Sequence, residues 1–499
     1  MRAPQKAAHF HSFRFNLLPS SSAMSSKIAT KFGAIKQKLK FSCTICKTLA
    51  ISGLILSSVI FIFFLNDHLS CQASQFFAPF RYTLSSPKPN STDSPTDITH
   101  LVFGLVGSEK AWRHRKSYIE AWWRPNITRG YLYLDRAPSE DLLPWPSSSP
   151  PFRQKSKHVV PVVVHILHAI LELVREEHGG VRWYVMGDDD SVFFVDNIVR
   201  VLAKYDHSKY VYIGGHSESV LPNFVHSFDM GFGGAGFALS YPLAAALAKD
   251  LENCLERYWY LSVSDQILMS CVADLGVSLT AEKGLHQIDL RNDISGFLSA
   301  HPQSPLMSLH HLDFVDPIFP SMNRFESTNH LMKAANIDQS RLLQQTICYQ
   351  KDTNWSFSIA WGYSAHIYEK LFPRSFLQKP IQTFRPWRKN PRPPHFFFDT
   401  RWPSSDPCEA PHLFLFESIE KTRGDQIVTS YVRSSPRGLP ACSFTGNHSA
   451  DYISKIQVFS STMKPIEDGR SECCDIVGVN GMNITEVKFR ACMEDEIIA

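Results

Sequence analysis

Residues 181–190 read Val-Arg-Trp-Tyr-Val-Met-Gly-Asp-Asp-Asp. An apolar run of this length is a strand, and it is closed by a glycine and three successive carboxylates. Outward from it the pattern alternates. Residues 98–107 (ITHLVFGLVG) read as a strand ending in glycine, and 112–123 (WRHRKSYIEAWW) carry apolar residues at helical spacing. Residues 130–135 (GYLYLD) read as a second strand, and 159–180 (VVPVVVHILHAILELVREEHGG) as a long helix stopped by glycine. Strands alternating with helices predict an α/β fold whose mostly parallel sheet is covered on both faces. Such sheets bind ligands beyond the carboxyl ends of their strands, which is where Asp188, Asp189 and Asp190 fall. A loop with Pro144, Pro146, Pro150 and Pro151 is expected at the surface beside it.

In an extended segment, side chains alternate. Asp188 and Asp190 therefore point one way, able to share a divalent cation and a nucleotide ribose, while Asp189 points elsewhere. A Mg²⁺ or Mn²⁺ ion held by carboxylates stabilises the charge that grows on a departing diphosphate. An isolated Asp-Asp-Asp is more often a solvated acidic turn; the apolar strand directly before it is what separates this one from that reading. Residues 231–237 (GFGGAGF) hold glycines that permit close backbone approach to a ligand, without the Lys-Ser/Thr that would make them a phosphate-binding loop of the ATPase kind. Asp265, in Ser264-Asp265-Gln266, heads a helix whose Ile267, Leu268, Cys271, Val272 and Leu275 face the core. An Asp there is ordinarily an N-cap, yet a helix N-terminus also keeps it ionised, as a general base must be.

The 499-residue chain carries a net charge of +4, but its first 66 residues hold nine basic and no acidic residues, which leaves −5 for residues 67–499. A mildly acidic body lacks the basic stripe that nucleic acid requires. Residues 48–65 (TLAISGLILSSVIFIFFL) are uncharged and as a helix would span roughly 27 Å. With lysines on its N-terminal side, this segment reads as a type II signal anchor, which puts residues 1–47 in the cytosol and all that follows in the lumen. Residues 66–97, rich in Ser, Pro, Thr and Asn, read as a stem. The folded body is expected as a catalytic domain over 98–320 and a C-terminal extension over 321–499, with residues 405–495 β-rich and disulfide-braced. Eight cysteines lie beyond residue 250, an even number that fits an oxidising compartment. Glycosylation sequons begin at Asn90, Asn126, Asn354, Asn447 and Asn483, all on the side expected to be lumenal.

The motifs WYVMGDDDSVF, GGAGFALS, SDQILMSCVADLGVSL and GLH, in that order, resemble those of the fringe-like β-1,3-glycosyltransferases over residues 98–320. The likeness is closest to plant fringe-related proteins, through NWSFSIAWGYSAHIY and the later Cys-Cys pair. The resemblance implies a GT-A nucleotide-sugar transferase fold, a UDP-sugar donor, Mn²⁺ dependence, inversion at the anomeric carbon and a Golgi membrane location with a glycan or glycoprotein acceptor. It assigns metal binding to Asp188, Asp190 and His286, with His310 and His311 as competitors, and the catalytic base to Asp265. Asp188, Asp189, Gly233, Gly234, Ala235 and Gly236 are expected to face the nucleotide sugar. Where the family has an acidic pair, this chain has Ser264-Asp265, so a single carboxylate carries the basic role. The competing expectation is a lumenal fringe-like protein that binds glycans or a protein partner without turning them over.

Overall fold

The computed structural model describes residues 94–154, 162–177, 179–388, 392–422, 424–442, 449–462, 471–480 and 483–498. The expected cytosolic tail 1–47, the membrane-spanning segment 48–65 and the stem up to residue 93 lie outside the described residues. Among the described residues no helix is long and apolar enough to cross a membrane.

A seven-stranded sheet carries the N-terminal half. Its strands are β1 (Leu101–Gly107), β2 (Gly130–Leu134), β3 (Phe152–Gln154), β4 (Trp183–Asp188), β6 (Tyr212–Gly214), β7 (Phe237–Ser240) and β8 (Leu279–Ala281), with the two-residue β5 (Val192–Phe193) outside it. The order is β3-β2-β1-β4-β7-β6-β8. The pairings β1/β2, β2/β3, β1/β4 and β6/β8 are parallel. Strand β7 runs antiparallel to both β4 and β6, so the sheet is mixed. Leu101, Val102, Phe103, Trp183, Tyr184 and Met186 are fully buried, as strands covered on both faces must be.

Helices α1 (Glu109–Glu120), α2 (His165–Glu176), α3 (Tyr241–Arg257) and α4 (Ser264–Asp274) cover this sheet. Ser108 caps α1 by accepting from Ala111 N–H. Helix α2 begins later than the apolar run that announces it, and it buries Ile166, Leu167, Ile170 and Leu173 on one face. A disulfide, Cys254–Cys271, joins α3 to α4.

Three short strands, β5, β9 (Leu285–Gln287) and β11 (Ser308–His310), form a second sheet with β11 in the middle; β10 (Leu290–Asn292) pairs separately with Phe384–Pro386. The C-terminal half is an eight-stranded sheet within residues 345–490, antiparallel except for one pairing, Lys455–Ser461 with Ile484–Arg490. Cysteine pairs Cys348–Cys474, Cys408–Cys442 and Cys473–Cys492 brace it. Neighbouring Cys473 and Cys474 take different partners because consecutive strand residues face opposite sides of the sheet. One apolar cluster runs from Phe103 and Phe193 to Phe357, Trp361 and Phe414, so the two halves share a core.

Candidate active site

Strand β4 ends at Asp188, and Asp189 and Asp190 lie in the turn that follows, closed by Ser191 Oγ, which accepts from Asp188 N–H at 2.8 Å. The three carboxylates then part. Asp190 is fully buried, with Oδ1 3.1 Å from His310 Nε2, and Asp188 Oδ2 lies 3.7 Å from the same nitrogen. Asp189 turns back instead, accepting from Ser108 N–H at 3.3 Å and pairing with Arg115 Nη1 at 2.8 Å. The division expected from alternation holds, but a turn produces it. Asp188 and Asp190 thus form with His310 a group whose ligand-type atoms all lie within 4.8 Å of one another.

His310 is oriented from behind. Its Nδ1 lies 2.9 Å from Gln287 Oε1, an acceptor, so Nδ1 carries a proton and Nε2 is the atom presented to Asp188 and Asp190. Two carboxylates and an imidazole with a fixed tautomer are a donor set that fits Mn²⁺ or Mg²⁺. Burial works against ionisation of Asp190, but His310 and Arg115 outweigh it and hold its pKa well below the usual carboxylate range. Partial desolvation raises the pKa of Asp188, helped by the neighbouring carboxylates of Asp190, Asp265 and Asp189 and opposed by His310. Its side chain is still 40% exposed, so Asp188 is the member of the group that reaches open space.

The glycine turn lies between this group and Asp265. Gly233 N–H donates to Asp265 Oδ2 at 2.9 Å, and Gly234 O accepts from Ser191 Oγ at 2.6 Å. A Cβ at Gly234 would sit 2.0 Å from His310 Cε1, and Gly236 has φ +88°, so both positions require glycine for stated reasons. Ala235 N–H donates to Gln287 Oε1 at 2.9 Å, and its carbonyl accepts from Ser308 Oγ, which ties the turn to β9 and β11. Asp265 lies in the first turn of α4 but caps nothing there; its carboxylate serves the glycine turn. Burial raises its pKa against the pull of Gly233 N–H and His310.

The structure does not bring His286 to this group. Strand β9 pairs in parallel with β11 so that Gln287 stands opposite His310 and His286 opposite Leu309. Adjacent strand residues face opposite ways, so Gln287 reaches His310 while His286 turns to Glu218, 2.6 Å from its Nδ1. His311, at φ 68°, bonds Asp289 at 3.0 Å and stacks on Trp387. Sequence reading also missed Arg115 and Asp313. Arg115 extends from α1 to hold Asp189, Asp190 (3.3 Å) and Asp313 (2.8 Å), a role hidden among the four basic residues of WRHRK.

Fold and site together define a mixed α/β protein with a carboxylate–imidazole cluster at the end of a central strand. The chain belongs to the family described as "Protein of unknown function, DUF604", whose model matches residues 222–474. It is also similar to a β-1,3-glucosyltransferase of Mus musculus, 28% identical over 120 residues, which is 24% of this chain and 24% of that protein. The chain therefore spans about a quarter of the length of the curated relative it matches. Among solved structures, the mannosyltransferase PcManGT from Pyrobaculum calidifontis in complex with GDP-Man and Mn²⁺ superposes over 39% of this chain and 56% of its own. Identity there is 11% and the TM-score 0.26, a level that does not establish a common fold.

Proposed function

We propose that this chain is a metal-dependent glycosyltransferase of the fringe-like kind, with a GT-A catalytic domain, that moves a sugar from a UDP-sugar to a hydroxyl of a glycan or glycoprotein in a β-1,3 linkage. The observation that carries the reading is the meeting of Asp188, Asp190 and His310 with Asp265 across one glycine turn. The local similarity to a β-1,3-glucosyltransferase supports the same class. The membrane part of the proposal, a Golgi type II protein with this site in the lumen, rests on the charge pattern around residues 48–65.

When bound at Asp188, Asp190 and His310, a divalent cation, Mn²⁺ or Mg²⁺, supplies Lewis-acid stabilisation to the diphosphate leaving group. Arg115 keeps Asp189 out of that donor set and compensates the buried Asp190 charge. Asp265, oriented by Gly233 N–H, takes the proton of the acceptor hydroxyl as that oxygen attacks the anomeric carbon. The new carbon–oxygen bond forms on the face opposite the one that breaks, so the configuration inverts. Burial raises the pKa of Asp265 and makes it a stronger base than a surface aspartate.

Asp265→Asn retains an acceptor for Gly233 N–H but cannot take a proton, so it is expected to lower kcat for UDP release in the presence of acceptor by about 10²–10⁴-fold. The double variant Asp188→Ala/Asp190→Ala is expected to abolish turnover across a panel of UDP-sugars with Mn²⁺. Turnover unchanged in either variant rejects the reading.

A further inference from the structure

Glu218, His286 and His301 form a second group of ligand-type side chains, with no part in the chemistry proposed above. They come from three places: the segment before the short helix Val220–His226, strand β9, and the residue after the helix Ser295–Ala300. Glu218 is pinned by its backbone, its N–H donating to Gln287 O at 3.1 Å and its carbonyl accepting from Phe397 N–H at 2.8 Å. One of its carboxylate oxygens lies 2.6 Å from His286 Nδ1 and the other 2.9 Å from His301 Nε2. Phe297 meets the His286 ring edge to face and stacks on His301, and Phe398 packs against His301 with ring centres 4.1 Å apart. Both imidazole planes are therefore set by packing.

We infer that Glu218, His286 and His301 bind one Zn²⁺ ion, separate from the cation site at Asp188, Asp190 and His310. Two imidazole nitrogens and one carboxylate oxygen, all within 4.8 Å of one another, are the donor set that zinc takes in three-ligand sites with a fourth position open. The first site is richer in carboxylate oxygen and suits a harder ion. Ligand bonds of about 2.0–2.1 Å in a tetrahedron separate the donor atoms by roughly 3.3 Å, so the present contacts need to open by less than about 1 Å. An entry path exists as well. His301 and Glu218 line a cavity of about 700 Å³, from which water can reach the fourth position, while His286 is buried behind them. Bound there, the ion ties β9, which supplies Gln287 to the first site, to the helix Ser295–Ala300.

The test uses the full chain, stripped of metal with a chelator and titrated with Co²⁺ as a chromophoric substitute for Zn²⁺. Tetrahedral Co²⁺ absorption is expected to saturate at one equivalent, to be displaced by Zn²⁺, and to persist in the Asp188→Ala/Asp190→Ala variant, whatever that variant does to turnover. His301→Ala and the bulkier His301→Gln are expected to lose this absorption and the Zn²⁺-dependent rise in melting temperature, each measured against the variant's own metal-free melting temperature. Absence of a tetrahedral spectrum in the wild-type chain overturns the inference. So does a spectrum that survives both His301 substitutions or disappears with Asp188 and Asp190.

Discussion

Gly234 shows how little room single residues have around the proposed cation site. Its missing Cβ is the space into which His310 fits, and His310 cannot retreat because Gln287 holds Nδ1 and Asp190 faces Nε2. Gly234→Ala is therefore expected to displace the imidazole, lower stability by about 1–3 kcal/mol and raise the Mn²⁺ concentration for half-maximal turnover by at least about tenfold. Gly179→Ala, where nothing among the described residues lies within 4 Å of the added methyl, is the control, and metal titration of both variants checks the difference. Far from the site, Glu369 is a residue through which pH acts on the C-terminal sheet. Burial opposes its ionisation, but hydrogen bonds from His412 and from Cys442 and Ala450 N–H outweigh it and lower its pKa from 4.5 to about 2. A carboxylate with a depressed folded pKa contributes stability that is complete above its unfolded value and is lost as pH falls toward the folded one. About 3 kcal/mol of stability should thus disappear between pH 4.5 and 2, at about 1.4 kcal/mol per pH unit. Chemical denaturation across that range should show the loss in the wild-type chain and a flatter profile for Glu369→Gln.

At the scale of elements, the proposed machinery depends on where α4 begins, since its first turn carries Asp265. The Cys254–Cys271 bridge fixes α4 to α3 across a separation of 17 residues, a loop length for which cross-linking contributes about 3 kcal/mol. Replacing both cysteines with alanine is expected to lower stability by that order and to reduce kcat more than it raises KM for the donor, because the proposed base lies on α4 while Asp188, Asp190 and His310 lie on other segments. Calorimetry and steady-state kinetics on the double variant separate the two effects. Elements of this kind differ in how well the sequence announces them. Strands β1, β2 and β4 are near-continuous apolar runs closed by glycine or aspartate, a local signal. The glycine turn and the helix after Ser264 are local too, which is why Asp188, Asp190, Gly233, Gly234 and Asp265 could be picked out beforehand. The antiparallel insertion of β7 and the choice of His310 over His286 could not, because both depend on pairing between segments far apart in the chain. A shift of one residue between β9 and β11 would exchange Gln287 and His286 across the sheet. Arg115 was illegible for a different reason: nothing in WRHRK tells which basic side chain turns inward until α1 is packed against β5.

For the molecule as a whole, the question is whether residues 98–320 form a catalytic domain able to stand alone. The residues proposed to carry the chemistry, Asp188, Asp190, Asp265 and His310, all lie within that span, but its covering does not. Tyr363 O–H donates to Ile318 O at 3.0 Å, Ser299 and Ser364 share a hydrogen bond at 2.7 Å, and Asn197 Nδ2 donates to Gln339 O at 2.8 Å. On the far side, His395 O accepts from Val220 N–H and Glu218 O from Phe397 N–H. Phe357, Trp361, Tyr363 and Phe414 are fully or almost fully buried in the same apolar cluster as Phe103 and Phe193. Each large side chain uncovered by their removal forfeits about 1.5–3 kcal/mol, so losing a few partners consumes the roughly 5–15 kcal/mol by which folded domains are stable. A chain ending at residue 320 is therefore expected to lack a cooperative thermal transition, and one including the C-terminal sheet to unfold in a single transition whose calorimetric and van't Hoff enthalpies agree. A cooperative melt from the short chain would show instead that the C-terminal sheet rests on a domain that folds independently of it.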